Sequence, residues 1–191
     1  MSFNLNDKSF DGSVAIFNNG IAGKVNNVKI AVNKKTAVDP DNAPDYKVVF
    51  SDAIGDVNVG FYYPTPNPQY DEKRNKDLEG WTIGRILSIA KSVLPKDFVF
   101  EVFDESATSK QVVDYLFKLI KDNSEGKTVN VFVTYGTTQK PSKYLGLRYF
   151  DFVESSDTTV SRLAKKPADL MERIEADAPA TDSTSASSTD W

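Results

Sequence analysis

Lys24-Val-Asn-Asn-Val-Lys-Ile-Ala-Val-Asn-Lys34 is the stretch from which the fold class is read. Val28, Ile30 and Val32 fall on one parity and Asn27, Lys29, Ala31 and Asn33 on the other, which is the period of a strand with one wet face. The residues that follow repeat the pattern. Asp39-Pro-Asp-Asn-Ala-Pro-Asp45 supplies turn residues, with Pro40 and Pro44 fixing φ, and alternation resumes through Tyr46, Val48 and Phe50 as far as Asp52. Beyond Gly55, Val57, Val59, Phe61 and Tyr63 continue the period of two, so three successive segments read as an antiparallel meander.

From Pro64 to Gly80 the chain has three prolines, a mixed run of charges and no apolar periodicity, which predicts a long exposed loop. Ile83, Ile86, Leu87, Ala90, Val93 and Leu94 then recur at three- and four-residue steps, the stripe of a helix that Pro95 stops. A second helix is predicted from about Ser109 to Asp122, with Val112, Val113, Leu116, Leu119 and Ile120 inward and Thr108 or Ser109 as its N-cap. Asp97 to Phe103, between the helices, reads as a short strand. Val129, Val131, Val133 and Tyr135 mark a further strand, Gly136 to Ser142 a turn, and Tyr144 to Glu154, apolar on both parities, a strand covered on both faces. The expected fold is therefore mainly β with inserted helices. Its strand count and length suit a small curved β-barrel, the five-stranded Greek-key OB-fold.

Composition places one core in residues 1–155: the 191-residue chain is 40% hydrophobic and 12% aromatic. Residues 156–191 read as a flexible acidic tail. From Pro167 to Trp191 six carboxylates (Asp169, Glu172, Glu175, Asp177, Asp182, Asp190) face the single cation Arg173, and Asp177 to Thr189 is almost all Ala, Ser, Thr, Asp and Pro. Such a segment buries too little apolar surface to offset its ordering entropy. Residues 1–166 are left with 22 cations and 21 carboxylates, so the body is near neutral. With neither Cys nor His, the chain has no disulfide, no thiolate ligand, no imidazole ligand and no imidazole base, which removes most hydrolytic and redox mechanisms; a carboxylate-only magnesium site stays open. No resident cofactor and no catalytic role are expected. A polar start, Met1 to Gly12, and no apolar run near the ~20 residues of a span lead us to expect a soluble, cytoplasmic protein.

Binding chemistry concentrates in Lys140-Pro-Ser-Lys-Tyr-Leu-Gly-Leu-Arg-Tyr-Phe-Asp-Phe152, three cations interleaved with four aromatic rings. Phosphates need cations and bases need flat faces, and a stacked base is worth about 1–3 kcal/mol whatever its identity. Tyr144 and Arg148 share a parity and are the pair expected to meet a nucleic acid, with Lys140 and Lys143 beside them; Tyr149, Phe150 and Phe152 read equally well as core. Lys34 and Lys35 end the first strand, Tyr46 and Lys47 open the second, and Tyr62 lies on the parity opposite Phe61 and Tyr63. Tyr70, Lys73, Arg74 and Trp81 lie in the predicted loop, either a clamp over a bound strand or a solvated surface. Gly20-Ile-Ala-Gly23 lacks the Lys and Ser/Thr of a phosphate loop, and Asp104-Glu105 and Asp71-Glu72 are adjacent acids without catalytic spacing.

Four pieces of the chain together resemble the single-stranded DNA-binding proteins of tailed bacteriophages: Ile16-Phe-Asn-Asn-Gly-Ile-Ala-Gly-Lys24, Asp41-Asn-Ala-Pro-Asp-Tyr-Lys-Val-Val-Phe50, Gly60-Phe-Tyr-Tyr63 and Pro141 to Glu154. The resemblance implies an OB-fold body that coats single-stranded DNA during replication and recombination. It also implies an acidic tail that competes for the groove and recruits replication proteins through an acidic-aromatic terminus, here Asp190-Trp191. The departures are a Trp where Phe is common and a tail diluted by Ser, Thr and Ala. The competing expectation is a phage structural or assembly role, as a capsid or tail accessory protein, which a β-rich body with an extended arm would also serve.

Overall fold

A computed structural model describes residues 17–173 of the chain. Six antiparallel strands form one sheet: β1 (Gly23–Lys34), β2 (Tyr46–Ser51), β3 (Asp56–Phe61), β4 (Thr128–Thr137), β5 (Lys140–Leu147) and β6 (Val153–Ser155). Two helices, α1 (Glu72–Val93) and α2 (Ser109–Asn123), are inserted between β3 and β4. The strand order is β3-β2-β1-β4-β5, with β6 on the edge of β4 beside β5. β3 and β5 come near each other, but among the described residues no ladder joins them, so the sheet is open where a small curved barrel was expected.

The meander forms as its alternation dictates. Val48 pairs with Val32 and Val59, and Phe50 with Ile30 and Val57, so the apolar parity of all three strands faces one side. Earlier in β1 a bulge at Asn26 and Asn27, with Asn27 at φ 57°, lets Val25 and Val28 both turn inward. On that side lie α1, through Ile86, Ile89, Ala90 and Val93, and α2, through Val113, Leu116, Phe117 and Ile120. Phe50, Phe117 and Phe152 are wholly buried there, each contributing about 1.5–3 kcal/mol of burial free energy. No described helix is long and apolar enough to cross a membrane.

Four local expectations are corrected. The exposed loop ends at Asp71, whose carboxylate accepts the Arg74 N–H (2.6 Å) and caps α1; the mixed charges of residues 72–79 are its first turns. Glycines at 80 and 84, both exposed, disguised that start. Asp97 to Phe103 is an irregular connector in which Phe98 packs edge-on to Phe100 and Phe103 edge-on to Tyr115, with no strand partner for its backbone among the described residues. Tyr144 to Glu154 is not one strand: β5 stops at Leu147 and β6 starts at Val153. The strand buried on both faces is instead β4.

Residues 156–173, which the sequence had assigned to the flexible tail, dock on β4. Its residues 168–170 pair antiparallel with the end of β4: Tyr135 N–H donates to Leu170 O (2.9 Å), Leu170 N–H to Gly136 O (3.1 Å) and Thr138 N–H to Ala168 O (2.9 Å). Leu163 and Asp169 are buried by it. Its polar composition concealed a docking that relies on backbone pairing and one ion pair more than on apolar area. The rest of the predicted tail, with Asp190 and Trp191, lies outside the described residues.

Candidate nucleic-acid interface

Neither helix covers the outer parity of β1, β2 and β3. Lys29, Ala31 and Asn33, then Lys47, Val49 and Ser51, then Asp56, Asn58 and Gly60 are all exposed or half-buried there. Lys47 sits between Asn33 and Gly60 in the ladders, and Tyr62, one parity step beyond Gly60, is 57% exposed. The loop between β1 and β2 folds over this end of the sheet. Tyr62 Oη donates to Asn42 O (3.3 Å), Lys35 Nζ to Asp41 O (2.6 Å), and a methyl group added at Gly60 would press Pro44 at 3.0 Å. Of the loop's acids, Asp39 accepts the Thr36 N–H and hydroxyl, which hold its carboxyl below the usual range, and Asp45 accepts the Tyr63 N–H. These carboxylates organise the turn.

Lys34 and Tyr46, two of the expected contacts, belong to a different arrangement. Asp114, on α2, accepts the hydroxyls of Tyr46 and Tyr63 (2.6 Å for the latter), Lys34 Nζ at 3.3 Å and, on its other oxygen, Lys110 Nζ at 3.0 Å. Desolvation pushes the Asp114 carboxyl up, but these four donors outweigh it and hold the group well below the carboxylate range. Burial, reinforced by Asp114, pushes the Tyr46 phenol well above its ordinary value. Tyr46 is 5% exposed and stacks on Phe117 at 4.1 Å. Its assignment as a nucleic-acid contact is therefore corrected: its ring is core, and its hydroxyl ties α2 to the sheet. Lys34 keeps an exposed head within this cluster.

On β5, Lys140 and Lys143 are exposed without an ion pair among the described residues, and Tyr144 is 80% exposed. Leu145 and Leu147 pack against the core as their parity requires. Arg148 does not join Tyr144. At 5% exposure it is buried, with Nη1 donating to Asp169 Oδ2 (2.9 Å) and Ala164 O (2.7 Å), Nη2 to Asp151 O (2.6 Å) and Nε to Phe150 O (3.0 Å), its plane 4.4 Å from the Phe132 ring centre. The expectation that Arg148 meets a phosphate is corrected. Its forked donors clamp residues 150–151 to the docked C-terminal segment.

That clamp displays rings the sequence left undecided. Phe152 is core, whereas Tyr149 and Phe150 are exposed, Phe150 packing edge-on to the exposed Trp81 at 6.4 Å. Arg85 donates from Nε to Tyr149 O (2.9 Å) and lies over the Tyr149 ring at 4.2 Å, while Arg74 covers Trp81 at 5.1 Å. Arg74, Leu78, Trp81 and Arg85 follow one another at helical steps on α1. The stripe would have been legible once Asp71 was read as the N-cap.

No family model, no curated protein and no solved structure matches this chain. Among the described residues no group of carboxylates could hold a metal ion.

Proposed function

We propose that the protein binds single-stranded DNA without sequence preference, across the outer parity of β1–β3 and along β5. The observation that carries this is the uncovered sheet face presenting Lys47 and Tyr62, with Lys35 at its margin and Lys140, Lys143 and Tyr144 on β5; Lys34, held by Asp114 on the helix side, is not part of it. A cation for phosphate beside an exposed ring for a base is the pairing that binding of unpaired strands uses. We also infer that the sheet is a partly open barrel of the OB kind: helices fall between β3 and β4, and the two end strands of the order approach each other. In such barrels the strand 2–3 face and the loops after strands 1 and 4 hold oligonucleotides, which are here the face of Lys47 and Tyr62, the loop of Lys35 and the turn before Lys140.

Because the body is near neutral, affinity comes from a local stripe of cations plus stacking and falls with salt, less steeply than for a basic protein. The acidic residues 177–191 compete with the strand for this face and, through Asp190 and Trp191, recruit replication proteins in a bacterial host cytoplasm. The test is fluorescence anisotropy of labelled oligo(dT) titrated at several salt concentrations. The full chain should bind, a deletion of 177–191 should bind more tightly at low salt, and Lys47→Ala with Tyr62→Ala should weaken binding about tenfold. No anisotropy change at low salt would sink the proposal.

A further inference from the structure

We infer that Arg85, with the exposed rings of Trp81, Tyr149 and Phe150, forms a second nucleotide-binding patch: the guanidinium takes a phosphate and the rings take bases. This rests on the single-strand reading above and extends it beyond the sheet to the α1 side of the molecule.

Arg85 is half-buried, and no carboxylate lies within ion-pair distance of it among the described residues. Its surroundings are one backbone carbonyl and the faces of Tyr149, Phe61 (5.2 Å) and Phe152 (5.5 Å). A cation withdrawn from water without a counter-charge favours an incoming anion, and desolvation accordingly draws its pKa down. It lines a groove of about 640 Å³ shared with Gly60, Tyr62 and Tyr63, in which the two carboxylates are engaged, Glu72 by Lys76 at 2.7 Å and Glu79 by the Ser109 hydroxyl. The strand proposed to stack on Tyr62 therefore reaches Arg85 without leaving the surface.

The rings are held in place for this use. Arg85 fixes the carbonyl of Tyr149 and Arg148 those of Phe150 and Asp151, so three successive residues are bolted from two sides while the two rings among them, Tyr149 and Phe150, are exposed. Ordering entropy is thus spent on folding and not on binding. The occupant is chosen by charge and shape: Arg74 and Arg85 both lack a carboxylate partner among the described residues, and the exposed apolar groups are flat rings. That combination fits a polyanion with π-faces better than an aliphatic peptide.

The experiment uses the full chain carrying Trp191→Phe, which leaves Trp81 as its one indole. Labelled oligo(dT) is followed by anisotropy while Trp81 emission is recorded. Quenching of Trp81 in step with anisotropy is expected. Trp81→Ala with Phe150→Ala should weaken binding about tenfold, and Arg85→Gln, checked for unchanged circular dichroism, should lower the slope of log affinity against log salt by about 0.7. Binding that Lys47→Ala and Tyr62→Ala weaken, with Trp81 emission unmoved and the Trp81/Phe150 variant equal to its parent, would overturn this inference and leave the sheet face standing. Absence of any anisotropy change would remove both proposals together.

Discussion

Replacing Arg148 by Met separates its structural role from the phosphate contact its sequence setting suggested. Met keeps the aliphatic stem beside Phe132 and removes the fork. Asp169, whose side chain is 3% exposed, would then keep the Lys166 N–H (2.7 Å) but face no cation, and the carbonyls of Phe150, Asp151 and Ala164 would lose their donor. Stranding one member of a buried pair costs about 3–5 kcal/mol. For a domain of this size each kcal/mol moves Tm by about 2–4 °C, so the variant should melt roughly 6–20 °C lower. Thermal and urea unfolding followed by near-ultraviolet circular dichroism measure this. Adding Asp169→Leu should recover a substantial part, because most of the loss is an unpaired charge and not missing attraction. A Tm within about 2 °C of the parent, accompanied by lost oligo(dT) affinity, would refute the clamp and restore the phosphate contact.

The Asp114 cluster makes stability depend on acid. Its carboxyl is depressed in the folded state, so its contribution is full above the unfolded value near pH 4 and is lost as pH falls toward the depressed one; Asp114→Asn should show a flatter acid limb in urea midpoints below about pH 4, and parallel limbs would disprove the linkage. Gly136, at φ 83°, stands where an added methyl group would run into Lys140 O, so Gly136→Ala should cost at least about 1–3 kcal/mol and disturb the β4–β5 turn, read by amide exchange at Thr137 and Lys140. Thr108→Ala removes the hydroxyl that accepts the Gln111 N–H and should destabilise by about 1 kcal/mol, with an unchanged urea midpoint counting against the capping box.

The meander, α2 and the placing of two helices after β3 were legible because alternation and helical spacing report which face is buried. α1 was half legible: Ile83 to Leu94 carry a clean stripe, while its first turns are charged, interrupted by glycines and announced only by Asp71. Burial of Tyr46 follows from the same inward parity as Val48 and Phe50, and an adjacent Lys47 made its ring look like part of a binding surface. Arg148 and Asp169 are 21 residues apart, and nothing in local periodicity connects them. Residues 156–173 show the general limit. Docking through backbone hydrogen bonds leaves no compositional trace, so polar sequence reads as tail even where it is folded.

The segment over β4 also governs when this molecule becomes whole during synthesis. Gly23 lies opposite Val133 in the sheet, Lys24 reaches Glu154 at 2.8 Å, and Tyr135 waits for Leu170. A nascent chain emerging from the ribosome can pair β1 with β2 early, but the other edge of β1 waits more than a hundred residues for β4, and β4 some thirty-five more for the segment that pairs with its end. Until β4 is made, one edge of β1 has no partner, and until residues 168–170 follow, the end of β4 lacks its own.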